Sequence, residues 1–208
     1  MTVKSIRTEP VWVIEAPVAV KAPVTEEAAA LALRTLLTYI GEDPDREGLQ
    51  DTPSRVLRAY GEQFAGYKQS PAEILSTTFA EVEGYEELVL LKDIPFHSTC
   101  EHHLQPFEGV AHVAYMPGDR VVGLSKLARL VDCFARRAQI QERLTRQVAG
   151  ALMEHLAPRG AAVVVEATHG CMRCRGVRKE GARMVTAAYE GAFATPDARR
   201  EFLHLVKG

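Results

Sequence analysis

The chain has 208 residues, 47% of them hydrophobic, and a formal net charge of −2. Such a length and composition allow one well-buried domain without disulfides. The near-neutral charge argues against duplex nucleic acid and against a membrane surface as partners, because both require a basic patch. No apolar run approaches the roughly 18 residues of a membrane span, and the N-terminus lacks a secretory signal, so we expect a cytoplasmic protein.

The N-terminal part is expected to be helical after a short arm. Residues 1–24 carry three prolines among alternating valine and charged residues, which predicts an extended arm outside the core. From Thr25 an alanine- and leucine-rich run predicts a helix that ends near Gly41. A second helix is predicted to start at Thr52 and Pro53. We therefore expect a helical N-terminal part over residues 25–81.

The remaining residues, 82–208, are expected to form a second domain, which contains the strands. Strands are predicted at 88–94, 109–116, 161–168 and 183–190. Two helices, at 125–137 and 141–156, separate the second strand from the third, and a last helix starts at Thr195. This order favours an α+β fold around an antiparallel sheet over a parallel α/β fold.

Four chemically active residues follow the first predicted strand: Cys100, Glu101, His102 and His103. A cysteine and a histidine three positions apart can bind one ion from a tight turn, and thiolate with imidazole suits zinc. Purely structural zinc knuckles use the same residues. The run therefore predicts a zinc site with Cys100 and His103 as ligands, either catalytic or structural.

A second cluster follows the third predicted strand and contains His169, Cys171 and Cys174. Two strand ends can present both clusters to one pocket, so this cluster can supply a third ligand. Spacing alone leaves open whether Cys171 or Cys174 supplies it. The remaining cysteine, Cys133, lies among apolar residues of a predicted helix and is expected to be a small buried hydrophobe.

The spacing excludes three common zinc enzymes. A zincin needs His-Glu-x-x-His, whereas Glu101 precedes the adjacent histidines. The inverted motif needs His-x-x-Glu-His, and His97 lies one residue too far from Glu101. A nucleobase deaminase needs the motifs His-x-Glu and Pro-Cys-x-x-Cys. The first is absent, and of the second only the cysteine spacing is present, at Cys171 and Cys174. The constellation is therefore of another kind.

Taken together, the motifs resemble those of GTP cyclohydrolase I. The resemblance rests on Cys100-Glu101-His102-His103, Gly123-Leu124-Ser125-Lys126, Gln141-Glu142-Arg143-Leu144-Thr145, and His169-Gly170-Cys171-Met172 through Arg175-Gly176. These segments occur in the family's order, together with the helix start Thr52-Pro53-x-Arg55. The resemblance covers about residues 25 to 206 and leaves the N-terminal arm outside.

The resemblance implies hydrolytic opening of the GTP imidazole ring at C8, release of that carbon as formate, and rearrangement to 7,8-dihydroneopterin triphosphate. This is the first step of folate and pterin biosynthesis. The resemblance also implies the tunnelling fold, in which subunits of ββααββ topology form a barrel of strands, and it makes residues 82–208 the catalytic domain. GTP and further copies of the chain are the implied partners, in a homodecamer of two pentamers with active sites between subunits.

One zinc ion per subunit is implied, held by Cys100, His103 and Cys171 with water in the fourth position. Zinc lowers the pKa of such a water to about 7. Cys174 departs from the family pattern, in which this position is usually not a cysteine. As a fourth ligand it would close the site and make the zinc structural, but alternation along a strand would direct it away from Cys171.

Three residues match the family's catalytic positions. His102 and His169 match the proton-transfer residues, and imidazole is suited to this role because it titrates near neutral pH. For His102, a hydrogen bond that merely supports a ligand is the alternative. Ser125 matches the residue near the ribose, where the rearrangement needs a proton relay.

The base of GTP is implied to be bound by Glu142 and Gln141, which open a helix. Guanine offers N1–H and its 2-amino group, which one carboxylate can accept together, whereas adenine has an acceptor at N1. Glu142 would then reject ATP, because its buried charge would lack a partner. The alternative is an acidic residue that only complements the helix dipole.

Four cationic residues are expected to meet the triphosphate: Lys126, Arg129, Arg175 and Arg55. The first two lie near a helix N-terminus, which favours anions. Arg175 and Arg55 match family positions that meet the triphosphate, and arginine suits bidentate phosphate contact. A solvated basic face is the ordinary alternative. For the whole chain, the alternative function is a noncatalytic purine- or pterin-binding module whose zinc only joins two strands.

Overall fold

The computed structural model describes residues 23–80 and 85–208. The arm predicted for residues 1–24 lies almost entirely outside the described residues and stays a prediction. The chain divides after Leu57 into two compact units. The functional boundary expected at residues 81 and 82 also stays a prediction.

The first unit contains helix α1, Glu26–Tyr39. The helix begins where the sequence predicts it, because the Thr25 hydroxyl accepts a hydrogen bond from the Ala28 N–H at 3.2 Å. None of its residues is buried within the chain, and Leu31 and Leu36 are exposed. Helix α2, Thr52–Gln63, also begins as predicted and continues beyond this unit.

The second unit carries the main sheet and its helices. In chain order the elements are α3 (Pro71–Leu75), β1 (Thr78–Phe79), β2 (Val89–Cys100), β3 (Pro106–Met116), β4 (Val121–Val122), α4 (Leu124–Ala135), β5 (Ala138–Gln139), α5 (Gln141–His155), β6 (Gly160–His169), α6 (Gly170–Arg173), β7 (Met184–Gly191) and α7 (Pro196–Lys207). The predicted ββααββ order and the α+β class are confirmed. The two-residue strands and the short turn of α6 were not predicted. None of the described helices is long and apolar enough to cross a bilayer.

The main sheet has the strand order β5-β2-β3-β6-β7. All neighbouring pairs are antiparallel except β2 and β5, which pair in parallel at Thr99 and Cys100. The register between β3 and β6 places Phe107 opposite His169. The sheet therefore brings the end of β2, the start of β3 and the end of β6 together at one end of the strands, where both predicted clusters lie.

Alternating side chains divide the sheet into two faces, as expected for strands. Val113, Val163 and Val165 belong to the core that α4 and α5 cover. Ala114 and Val164, one position along, pack on the opposite face with Phe202 of α7. Burying each large aliphatic side chain stabilises the fold by roughly 1.5 to 3 kcal/mol, so both faces hold the strand ends in place.

Candidate metal and active site

A tight turn after β2 brings Cys100 and His103 together. The Cys100 carbonyl accepts a hydrogen bond from the Leu104 N–H at 2.9 Å, and the Cys100 N–H donates to the Gln105 carbonyl at 2.8 Å. Leu104 closes the turn with a φ of 50°, in the left-handed region. As a result, Cys100 Sγ lies 3.7 Å from His103 Nδ1.

The third donor comes from α6, the short turn that follows β6. Gly170 begins this turn against β3, and a Cβ at this position would lie 2.7 Å from the Pro106 carbonyl oxygen. A glycine is therefore required for the close approach. The turn places Cys171 so that its sulfur and the donor atoms of Cys100 and His103 all lie within 4.8 Å of one another.

This donor set fits a tetrahedral zinc ion. Bond lengths of about 2.3 Å to sulfur and about 2.0 Å to nitrogen place neighbouring ligand atoms roughly 3.5 to 3.8 Å apart, which matches the Cys100–His103 distance. Burial raises the pKa of Cys171, and the neighbouring Cys100 thiol raises it further. Among the described residues this group has three members.

Cys174 lies outside this group, but for a reason other than the predicted one. The segment is a helical turn and not a strand, so alternation does not direct the side chain away. Instead, the Cys174 thiol donates a hydrogen bond to the Gly170 carbonyl at 2.9 Å and lies 3.7 Å from Gln105 Oε1. All four cysteines are free thiols, and Cys133 is buried as expected.

His169 lies at the end of β6, two residues before Cys171. Its Nε2 is 2.9 Å from the Gln141 side-chain oxygen, and its ring stacks on Phe107 with centroids 4.7 Å apart. Burial lowers the pKa of His169, and the Glu142 carboxylate opposes this shift. His169 and Glu142 therefore lie close enough to interact electrostatically.

The first turn of α5 directs three successive side chains to different places. Gln141 is buried, and its amide is bonded within the chain. Glu142 is exposed, and no hydrogen bond or ion pair to its carboxylate is found in the described part of the chain. Arg143 reaches back to Glu101, whose carboxylate also lies 3.8 Å from the exposed His102 ring. Substrate binding by Gln141 stays a prediction, since its amide donors are already engaged.

The predicted phosphate ligands are less closely grouped. Arg175 is exposed and near enough to Cys171 to oppose the rise in the pKa of that thiol. Ser125, Lys126 and Arg129 lie on α4 and, within residues 23–80 and 85–208, form no hydrogen bond or ion pair with the metal group. Arg55 belongs to the first unit and pairs there with Asp51 at 3.1 Å.

Three contributors were not identified from the sequence. Arg143 was noted only as part of a motif, because its distance along the chain from Glu101 gives no local signal of their ion pair. The Thr186 hydroxyl of β7 accepts a hydrogen bond from the Gln141 amide, and Phe107 stacks on His169. No sequence pattern marks Thr186 or Phe107, because their role depends on strand pairing.

Comparisons with known proteins show the family of this chain. A model of the family described as GTP cyclohydrolase I matches residues 29–207. GTP cyclohydrolase 1 of Brucella canis is 54% identical over 188 residues, which cover 90% of this chain and 88% of that protein, and those of Brucella suis and Brucella abortus match equally. Among solved structures, the crystal structure of the archaeosine synthase QueF-Like in the apo form is 21% identical in sequence, and the match covers 50% of this chain and 94% of that chain. Its TM-score is 0.41, a likeness too weak to identify a reaction. The chain belongs to the GTP cyclohydrolase I family.

Proposed function

We propose that this chain is a GTP cyclohydrolase that opens the imidazole ring of GTP at C8, releases formate and forms 7,8-dihydroneopterin triphosphate. This would be the first step of folate and pterin biosynthesis. The observation that carries the proposal is the group of Cys100, His103 and Cys171, whose donor atoms lie within 4.8 Å of one another, in a chain of this family. His169 lies two residues before Cys171 in the chain, and the Glu142 carboxylate acts on the pKa of His169.

We infer that Cys100, His103 and Cys171 hold one zinc ion per subunit. Two thiolates and one imidazole are donors typical of zinc, and a three-ligand set is typical of catalytic sites rather than closed structural ones. When bound, zinc supplies a nucleophile at neutral pH by lowering the pKa of a water to about 7. The turn after β2 and the turn of α6 serve to fix the three donors.

We assign the proton transfers to His102 and His169. As C8 becomes tetrahedral, an imidazole must donate a proton to a ring nitrogen of the purine, and it must later accept a proton again. His169 is stacked on Phe107 and hydrogen-bonded, so its ring is held in one plane. His102 is exposed beside Glu101, which leaves it free to approach a substrate. We assign the relay at the ribose to Ser125.

We assign recognition of guanine to Glu142. Its carboxylate is exposed beside His169 and forms no ion pair in the described part of the chain, whereas the adjacent Arg143 is held by Glu101. A free carboxylate can accept from both N1–H and the 2-amino group of guanine. Binding of ATP would leave the charge without a donor, which is costly once water is excluded.

The triphosphate is assigned to cationic side chains on separate elements. Lys126 and Arg129 lie in the first half of α4, whose N-terminus favours anions. Arg129 also lines a surface depression together with Lys68 and Arg136 and with the carboxylates of Glu73 and Asp132. Arg175 follows α6, the turn that carries Cys171. Arg55 completes the set on the family resemblance alone.

We propose a homo-oligomer, a decamer of two pentamers with active sites between subunits. Two unpaired edges support assembly: β7 is the last strand of the sheet, and residues 89–98 of β2 have no partner on their outer side among the described strands. The exposed leucines of α1 give further apolar surface to cover. We also propose a cytoplasmic location, because a reducing compartment keeps four free cysteines as thiols.

Formate release is the direct test of the reaction. Zinc-loaded protein is incubated with GTP, and formate and the fluorescent pterin obtained after oxidation are measured. Both products should form, disappear after chelation and return when zinc is restored, while ATP should yield neither. If neither product forms although zinc and GTP both bind, the chain is instead a noncatalytic purine- or pterin-binding module with a structural zinc.

A further inference from the structure

Gln141, the first residue of α5, is only 1% exposed. Its side-chain nitrogen donates to the carbonyl oxygens of Val165 and Met184, each at 3.0 Å, and to the Thr186 hydroxyl at 3.1 Å. Carbonyl oxygens only accept hydrogen bonds, so this end of the amide must be the NH₂ group. The amide oxygen therefore faces His169.

Two threonine hydroxyls support the same orientation. Thr145 Oγ1 donates to the Gln141 backbone carbonyl at 2.8 Å and lies 2.6 Å from Thr186 Oγ1. Because Thr145 uses its single hydrogen on that carbonyl, the hydrogen between the two hydroxyls comes from Thr186. Thr186 is then an acceptor for the Gln141 amide. A flipped amide would lose these bonds and set its oxygen against two carbonyl oxygens.

The fixed amide determines the position of the hydrogen on His169. The distance from His169 Nε2 to Gln141 Oε1 is 2.9 Å. An amide oxygen carries no hydrogen, so Nε2 must be the donor, and the neutral ring then has its lone pair on Nδ1. Phe107 stacks on the ring at an interplanar angle of 5°, which keeps the ring in the plane of this hydrogen bond.

We propose that Gln141 is a positioning residue that holds His169 as the Nε2–H tautomer and leaves Nδ1 as the nitrogen that meets the substrate. Only the identity of that substrate rests on the proposed function, since the tautomer follows from the hydrogen bonds. Gln141 would thus act through His169, whereas the sequence predicted that it binds GTP directly. Its amide hydrogens are already shared among three acceptors within the chain.

Nitrogen NMR of the zinc-loaded protein with ¹⁵N-labelled histidine tests the tautomer directly. The two ring nitrogens are distinguished by whether a hydrogen is bonded to them, and the His169 signals are identified by their loss in His169→Asn. We expect the hydrogen on Nε2, exchanging with water more slowly than in the exposed His204. A hydrogen on Nδ1, or exchange as fast as in His204, would overturn the proposal.

Two variants test the role of the amide. Gln141→Met keeps the side-chain volume, and we expect faster Nε2–H exchange and a fall in kcat of about 10- to 100-fold with little change in the KM for GTP. Gln139→Met is the matched control, because Gln139 is an equally buried amide bonded to the Phe134 carbonyl and to Gln147. It should lower stability and leave the His169 signals unchanged.

The outcomes separate this proposal from the proposed function. Equal changes at His169 in both variants would show a general structural effect and overturn the positioning role. If Gln141→Met does not fold, the wild-type spectrum still decides the tautomer. If the wild-type protein releases no formate, the proposed reaction fails, and the NMR result stands independently.

Discussion

Arg143 donates two hydrogen bonds to the Glu101 carboxylate, from Nη1 to Oε2 at 2.5 Å and from Nη2 to Oε1 at 3.0 Å. The pair joins the first turn of α5 to the turn that carries Cys100 and His103. The pair also distinguishes Glu101 from Glu142. Glu101 is occupied by arginine, whereas Glu142 is exposed and, within the described residues, unpaired.

Glu142→Gln should weaken GTP binding much more than Glu101→Gln. Loss of the carboxylate removes a charged acceptor for two guanine donors, so we expect a rise in Kd of about 10- to 100-fold, or about 1.4 to 2.8 kcal/mol. Glu101→Gln should change Kd less than threefold. Calorimetric titration of both zinc-loaded variants with GTP measures this, and equal effects would contradict guanine recognition by Glu142.

The Glu101–Arg143 pair should stabilise the protein in a pH-dependent way. Hydrogen bonds from Arg143 lower the pKa of Glu101 below its usual 4.5. A carboxyl group with a lowered folded pKa stabilises the fold above its unfolded pKa, and this contribution is lost as pH falls through the folded pKa. With side chains 29% and 42% exposed, the pair should contribute only about 0.5 to 1 kcal/mol at pH 7.

A double-mutant cycle with Glu101→Gln and Arg143→Ala isolates this contribution. Urea unfolding of the four proteins gives the coupling free energy at each pH. The coupling should be largest at neutral pH and decline below about pH 4. A coupling that stays constant or grows on acidification would show that the ion pair is not its source.

Cys171→Ser should abolish zinc retention and turnover together, because two of three ligands cannot hold the ion tightly. Cys174→Ser is the matched control, since its thiol bonds to the Gly170 carbonyl and lies outside the ligand group. Elemental analysis after dialysis, together with formate release, measures both properties. Zinc retained by Cys171→Ser and lost by Cys174→Ser would transfer the ligand role to Cys174.

Gly170→Ala should displace the turn that carries Cys171. The added Cβ would lie 2.7 Å from the Pro106 carbonyl oxygen, so the turn must move away from β3, at a cost of about 1 to 3 kcal/mol. We expect a lower midpoint of urea unfolding and weaker zinc binding. Gly181→Ala, where a Cβ would meet no atom within 4 Å, should leave both unchanged. Unchanged zinc affinity in Gly170→Ala would contradict the expectation that the close approach of α6 to β3 fixes Cys171.

The order of helices and strands could be predicted because its signals are local. Thr25 marks the start of α1, and alternating apolar residues mark the long strands of the main sheet. The two-residue strands carry no such pattern, and α6 was missed because its four residues are held by contacts with β3. The same absence of local signal led to the wrong reason for excluding Cys174.

The sequence by itself determined the α+β class, the family resemblance, and Cys100 with His103 as a metal pair, because three-residue spacing in a turn is a local property. The family resemblance implied Cys171 as the third ligand, and the tertiary structure brings its sulfur to that pair. Only the tertiary structure gave Gln141 its partners at Val165, Met184 and Thr186. Those partners lie 24 to 45 positions along the chain from Gln141. Such contacts depend on strand register and on the packing of α5 against β6 and β7, which no local pattern encodes.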